Sequence, residues 1–449
     1  MKPSKFNIVQ PYGDNVLIYN TFSTSMVEIE PQLYTNIFEN GEIRYKKEIE
    51  QLTSMGFLVD DSLNELAEQK QLRDTVVSTS GDIISNIIIA PTLACNAHCF
   101  YCFENGYRKG IMTPDTAYAV VRFLKKHWNG DKIGITWFGG EPLMAADVIE
   151  IMIDELNREG IPFASKITTN GSLLTNEMIK RIQKKWNVDK IQITVDALGA
   201  EYNAIKNYTG IDDAFSVVMK NIGQCLKAGL TIRIRINFDP DKMDTAIKTM
   251  EYLNKVFGDS PNIKVYFAPI DEDDYVVRNI TDSFSEQDEH PYIKLIKYGR
   301  QHGLYRGFPD MEDDKYTQAF DSHGLLKKLK IYPQPINCYA TCQNVFSIDC
   351  NGNLYKCHRG LGRDEYASGN VFTGVEKNDI YNFFCDTEVV MNECKDCAIL
   401  PICQGGCKIN ARLYKGKGCC APSKAIINQL VQLYREDLEK EGSVSNEGH

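Results

Sequence analysis

No uninterrupted apolar run in this 449-residue chain approaches the roughly 20 residues needed to cross a bilayer. The first residues, MKPSKFNIVQPYGDN, lack the apolar core of a signal peptide. Together these absences exclude a helical membrane protein and lead us to expect a cytoplasmic one. An excess of basic charge is also missing: 50 Lys and Arg stand against 60 Asp and Glu, a net charge of −10. A generally basic nucleic-acid binder is therefore excluded, and neither nucleic acid nor membrane is expected as a partner. No solenoid-type repeat is present. Residues 1 to about 80 contain no cysteine at all.

Cysteine is what the rest of the chain has in excess. There are 15, in a chain expected to be intracellular, where stable disulfides are rare. Three fall between positions 95 and 102, one stands at 225, and eleven lie between 338 and 420. Such clustering indicates metal ligation rather than scattered core thiols.

The length suggests roughly three domains. In the first, Asn15–Tyr19 and Ser25–Ile29 are expected to pair as strands. Helices carrying Leu33 and Ile37, then Ile49 and Leu52, lead to a strand at Phe57–Val59. A polar helix over Glu65–Arg73 leads onward. From about 82 to 270 short apolar runs alternate with amphipathic segments. The strands are expected at 83–90, 133–138, 164–168, 190–195, 231–237 and 264–267, forming a parallel α/β sheet, open or curled into a partial barrel. Thr113-Pro114 is a helix start, threonine as N-cap and proline in the first turn. Sites on such sheets lie at the C-terminal strand ends. The acidic stretch 271–335 is read as a connection plus helices, with its charge runs at the solvated surface. Residues 338–420 are cysteine-rich and loop-rich. A helix is expected over about 423–440, before a frayed tail.

Cys95, Cys99 and Cys102 follow the first strand of the sheet in a C-x3-C-x2-C arrangement. Three thiolates in a tight loop can hold three corners of a [4Fe–4S] cube and leave the fourth iron open to a ligand. Zinc would want a fourth protein ligand, and the one at hand, His98, is poorly placed beside Cys99. Trp137-Phe-Gly-Gly-Glu-Pro142 follows the second strand. Its glycines allow close backbone approach and its carboxylate can meet an ammonium group. Thr168-Thr-Asn-Gly171 ends the third strand and Ile193-Thr-Val-Asp196 the fourth. Farther on, Cys342 is followed by nine residues, Gly352, four residues and Cys357. Then come Cys394-x2-Cys397-x5-Cys403-x3-Cys407 and the pair Cys419-Cys420.

The loop, with Tyr101 just before its third cysteine, resembles that of the radical S-adenosylmethionine (SAM) enzymes, and Gly139-Gly140-Glu141-Pro142 resembles their GGEP motif. The later series resembles the SPASM domain of radical SAM peptide-modifying enzymes. The hairpin-helix-helix-strand unit at the N-terminus resembles the PqqD-like peptide-recognition domain.

These resemblances imply a partial (β/α)6 radical SAM barrel over 81–320, preceded by a winged-helix-like recognition domain over 1–80 and followed by a SPASM domain over 321–449. They imply SAM and three [4Fe–4S] clusters as cofactors. Cys95, Cys99 and Cys102 would hold the first cluster. Tyr101, Phe138, Gly139, Gly140, Glu141, Asn170, Thr194 and Asp196 would lie about SAM. Auxiliary cluster I would take Cys342, Cys357, Cys407 and Cys338; auxiliary cluster II would take Cys394, Cys397, Cys403 and Cys420, with Cys419 as the alternative last ligand. His358, next to Cys357, stands where some relatives carry a catalytic acid. Cys225 reads as a core thiol, and Cys350 and Cys385 as structural or incidental.

The implied activity is formation of a 5′-deoxyadenosyl radical that abstracts hydrogen from a ribosomally made precursor peptide, followed by an intramolecular crosslink, thioether or carbon–carbon. The N-terminal domain would bind the peptide's leader by strand addition. A flavodoxin- or ferredoxin-type protein would supply electrons. The alternatives are a sulfatase-maturating enzyme and a non-enzymatic iron–sulfur leader-binding scaffold.

Overall fold

The computed structural model describes residues 1–79, 81–104, 106, 110–270, 289–302, 338–389, 391–413 and 423–440. Cys419, Cys420, most of the acidic stretch and the C-terminal tail lie outside these residues.

Six consecutive strands run parallel in the main sheet: β6 (Asn86–Ile89), β7 (Ile133–Trp137), β8 (Phe163–Thr169), β9 (Val188–Thr194), β10 (Ile232–Phe238) and β11 (Ile263–Pro269). They stand in chain order, each parallel to the next. The isoleucines that mark them, such as Ile87, Ile135, Ile191 and Ile234, are buried in one continuous core with the crossover helices. That core explains why the strands read as apolar runs. Thr113 accepts from the Thr116 N–H and caps helix Pro114–Lys126, as its sequence predicts. Among the described residues, no helix is long and apolar enough to cross a membrane.

The sheet continues beyond β6. β12 (Phe346–Ile348) lies parallel to β6, and β13 (Asn353–Tyr355), β14 (Ala367–Asn370) and β15 (Gly374–Val375) follow antiparallel, making ten strands. The cysteine-rich region is thus built onto the edge of the parallel sheet. Its apolar residues Phe346, Leu354 and Tyr355 share the main core. The consequence for the site is direct: β6 runs into the Cys95 loop, and β13 runs into Cys357 and His358.

At the N-terminus, β2 (Asn7–Tyr12), β3 (Asn15–Asn20) and β4 (Met26–Ile29) form an antiparallel sheet, and β1 (Lys2–Pro3) pairs with β5 (Leu58–Val59). The expected β3–β4 pair is present. β2 was not expected; Pro11 argues against a strand, and here it lies on an edge strand, where proline is tolerated. Gly13, at φ +57°, turns the chain between β2 and β3. Ile18, Ile29, Ile37, Leu52, Phe57 and Leu58 make a small core on one side of this sheet. Ile8, Leu17 and Tyr19 pack instead against Ile426, Leu430 and Tyr434 of helix Ser423–Lys440. An ion pair from Arg435 to Glu28 adds to that seam.

Helix Pro291–Gln301 packs into the same cluster through Ile293 and Ile296. His290 precedes it, and its Nδ1 accepts from the Tyr292 N–H at 3.1 Å. Burial holds His290 down at about 4, against 6.5 for a free histidine. The unfolded chain therefore binds the extra proton first as pH falls. Stability from this group is full above pH 6.5 and is lost as pH falls toward 4, by about 1–2 kcal/mol after allowance for solvent screening. His290→Asn should keep an acceptor for the Tyr292 N–H and flatten that stretch of the profile. Thermal melts of both proteins between pH 4.5 and 7.5 check this, and parallel profiles would count against it.

Candidate active site

The Cys95 loop leaves β6 and is pinned to neighbouring strand tips. The Gly140 N–H donates to the Thr92 carbonyl at 3.2 Å and the Glu141 N–H to the Ala94 carbonyl at 2.9 Å. A Cβ on Gly139 would stand 2.2 Å from the Thr92 carbonyl oxygen, and one on Gly140 2.3 Å from that of Ala94. Gly139 also has φ +111°. The glycines are thus required for the strand end to close on the cysteine loop. A bridge from Ala97 to Tyr208 holds the loop's far side.

Glu141 is held by donors from its own chain. Its side chain is wholly buried. Its oxygens accept from Thr169 Oγ1 at 2.8 and 2.9 Å, the Asn170 N–H at 2.8 Å and the Leu143 N–H at 3.0 Å. This chain's own donors occupy the carboxylate, which ties the tip of β7 to that of β8. Burial outweighs these bonds and raises its carboxyl to about 7.

Tyr101 and Asp196 are also tied internally. The Tyr101 hydroxyl donates to Asp196 and accepts from Lys206 Nζ at 2.6 Å. Lys206 Nζ lies 2.7 Å from Asp196 Oδ2, with the two side chains 3% and 2% exposed. The Asn237 N–H donates to the other Asp196 oxygen at 2.9 Å. Burial works against the Lys206 charge, but Asp196 and Tyr101 hold the ammonium protonated, well above the usual lysine range. Nothing in the sequence separates Lys206 from a surface lysine. Its function is legible only once the fold brings it beneath the loop.

Asn170 sits beside the first cysteine: its Nδ2 donates to Asn96 Oδ1 at 2.7 Å and approaches Cys95 Sγ at 3.8 Å. The Ala97 N–H points at the same sulfur from 3.4 Å. Thr194 ends β9, half-buried.

The three thiols lie within electrostatic reach of one another, and burial raises Cys95 to about 11 and Cys102 to about 12. Thiols so placed shed their protons readily only to a metal. No three His, Cys, Asp or Glu side chains among the described residues are placed to share a single ion. His98 Nε2 is directed at Thr209 Oγ1, 3.0 Å away.

In a second thiol group Cys338 lies in electrostatic reach of Cys342, Cys357 and Cys407, and Cys357 of Cys407, with burial raising Cys338 to about 11 and Cys357 to about 12. Beneath it the fully buried Lys356 ammonium donates to the carbonyls of Cys342, Gln343 and Val345. Cys394, Cys397 and Cys403 lie along one short stretch, a 3-10 turn at Asn392–Asp396 followed by helix Leu400–Cys403, and Cys397 and Cys403 belong to the cluster beside the C-terminal helix. Cys225 is buried in helix Ala214–Lys227, as read from the sequence. Cys350 is buried and Cys385 partly so.

An aromatic group joins the two thiol sets. Phe103, next to Cys102, stacks on Phe138 with ring centres 6.4 Å apart. His358, next to Cys357, meets the edges of both rings, at 5.8 and 5.1 Å. Tyr339 hydrogen-bonds His358 Nδ1. Burial, with Arg359 and Arg235 nearby, lowers His358 to about 4. The imidazole is therefore neutral at physiological pH, a poor proton store and an uncharged wall.

The Radical SAM superfamily model matches residues 89–253, from the end of β6 through β10 and most of the helix that follows it. This chain contains a radical SAM domain. Such domains use SAM and a [4Fe–4S] cluster, and the thiols at the head of the sheet fit that cluster. The chain is 22% identical to the radical SAM cyclopropyl synthase TigE of Paramaledivibacter caminithermalis, over 97% of each chain. Its fold is similar to that of anSMEcpe with bound AdoMet and Kp18Cys peptide, at a TM-score of 0.56 and 16% identity, over 78% of this chain and 99% of that one. It is also similar to Streptococcus suis SuiB bound to its precursor peptide SuiA, at 0.52 and 16%, over 94% and 99%. Residues 89–253 are thus a radical SAM domain, and the solved structures of similar fold include two with a bound peptide.

Proposed function

We propose that this enzyme modifies a ribosomally made precursor peptide and installs an intramolecular crosslink, carbon–carbon in preference to thioether. The observation that carries the reading is the Phe103–Phe138–His358 group, which sets a second thiol cluster directly across from the radical SAM loop. The similarity to TigE, a cyclopropyl synthase, over nearly the whole chain supports carbon–carbon bond formation. SuiB matches the N-terminal segment as well as the core, which supports a peptide substrate over a sulfatase.

Bound SAM and a reduced cluster supply a hydrogen-abstracting 5′-deoxyadenosyl radical. In this reading Cys95, Cys99 and Cys102 hold the core cluster. The Ala97 N–H and Asn170 moderate the charge on Cys95 by outer hydrogen bonds. Tyr101, Asp196 and Lys206 fix the loop, and Phe103, Phe138 and His358 keep water from the space between the thiol sets. Cys338, Cys342, Cys357 and Cys407 would hold auxiliary cluster I; Cys394, Cys397 and Cys403, with Cys420, would hold auxiliary cluster II. Residues 1–80, 81–320 and 321–449 are the corresponding recognition, radical SAM and SPASM domains. The edge strands β2 and β4 offer main-chain hydrogen bonds to a leader peptide, and a flavodoxin or ferredoxin delivers the electrons.

The test is anaerobic. Reconstituted enzyme receives SAM, dithionite and the peptide encoded beside its gene, and peptide mass is followed by tandem mass spectrometry. Loss of two hydrogens per modification, localised within a residue or between two, is expected. Formation of 5′-deoxyadenosine with unchanged peptide would refute the substrate assignment and leave the radical SAM chemistry standing.

A further inference from the structure

Lys206 and Lys356 are both buried, and their charges are met differently. Lys206 Nζ stands 2.7 Å from the Asp196 carboxylate. Lys356, 0% exposed, forms no ion pair with a carboxylate among the described residues. Its Nζ donates instead to the carbonyls of Cys342, of Val345 at 2.9 Å and of Gln343 at 3.3 Å. Only the ammonium form carries three N–H donors, so three carbonyls at one nitrogen mark it as charged. The Phe346 and Tyr381 rings close over it, with centres 4.5 and 5.1 Å from Nζ. Carbonyls and rings orient and seal the ammonium but are not counter-charges, and a buried ion without one is costly.

The surroundings of Lys356 show where that counter-charge lies. It directly precedes Cys357, and its ammonium gathers the backbone that leaves Cys342. The thiols of Cys385, Cys342 and Cys338 are the groups whose negative charge would bear most on it, and Cys385 also hydrogen-bonds it. Lys408 and Arg359 are the other cations beside this thiol group, and both are partly open to solvent. Lys408 donates to the Phe383 carbonyl at 2.9 Å, and Arg359 bonds Asn410 Oδ1.

On the reading of Cys338, Cys342, Cys357 and Cys407 as the ligands of auxiliary cluster I, we propose that the Lys356 ammonium is the fixed counter-charge of that cluster and raises its reduction potential. An iron–sulfur cluster on four thiolates is a net anion. Reduction adds one electron, hence one more negative charge, and forms no bond to a proton. A positive charge sealed in the same core favours that state, where one in water would be screened.

The experiment uses the full-length chain, reconstituted anaerobically as wild type, Lys356→Gln, Lys356→Met, Cys385→Ala and Cys357→Ala. Glutamine keeps two N–H donors for the carbonyls without the charge; methionine keeps the length and neither. Iron is counted, and each protein is titrated with dithionite and redox mediators while electron paramagnetic resonance is recorded. The signal absent from Cys357→Ala is that of auxiliary cluster I. At a fixed potential, its ratio of reduced to oxidised cluster should fall at least tenfold in both Lys356 variants, about 59 mV for a one-electron couple. Iron content and the signal that responds to SAM should not change. Cys385→Ala should leave the ratio within twofold of wild type. A ratio within twofold of wild type in Lys356→Gln overturns the proposal, because hydrogen bonds rather than charge would then set the site. Loss of iron in both Lys356 variants overturns it as well, since the residue would be part of the frame that holds the thiols. So does a tenfold rise in Cys385→Ala, which would show that the Cys385 thiolate already balances the ammonium. If Cys357→Ala lacks no signal of the wild type, the cluster reading itself fails and the proposal with it.

Discussion

Lys206→Met is expected to destabilise the protein by about 3–5 kcal/mol, because it leaves a buried carboxylate without its counter-charge. Asp196 and Lys206 are both almost wholly shut away from water and stand 2.7 Å apart. The variant keeps the Tyr101 and Asn237 donors to Asp196 but removes the cation. A chain of this size has several cooperative units, so the change is best read as a fall in the midpoint of the transition that unfolds the sheet, by several degrees. Adding Asp196→Asn should recover part of the loss, since the two changes together leave no buried charge. If the single variant melts within a degree of wild type, the ion pair is not what holds the loop. Lys206→Arg separates charge from shape: it keeps the cation but places a larger planar group between the Tyr101 and Tyr202 rings, now 5.2 and 5.8 Å from the ammonium.

That ion pair also marks where the sequence stops being readable. The strands of the parallel sheet were legible because burial on both faces writes itself as isoleucine-rich runs. Cys95, Cys99, Cys102 and the GGEP segment were legible because their spacing is local. What long-range packing decides was not. The role of Glu141 depends on Thr169 and Asn170, 28 and 29 positions away, which occupy its carboxylate. β12 is a three-residue strand whose partner, β6, lies some 260 residues earlier. No local pattern could announce that the cysteine-rich region extends the main sheet. Phe103 reads as an ordinary neighbour of a cysteine and His358 as a residue at a relative's catalytic-acid position; that the two meet belongs to the same pairing.

The second large effect concerns iron. Cys99→Ala should lose about four iron atoms per chain and all 5′-deoxyadenosine formation, since two thiolates cannot retain a cube that already has one open corner. Cys225→Ala, in a helix facing the core, should leave the iron unchanged. Cys338→Ala is the informative variant. Cys338 lies in electrostatic reach of Cys342, Cys357 and Cys407. Four thiolates would close every corner of auxiliary cluster I, leaving no iron for a substrate thiolate. A closed cluster fits a product in which carbon joins carbon; an open one would suit a cluster-held cysteine and a thioether. Loss of about four iron atoms in Cys338→Ala, with the core cluster's SAM-dependent spectrum intact, is therefore expected. Full iron retention with an unchanged spectrum would leave one corner of that cluster free in the wild type and return the thioether to first place.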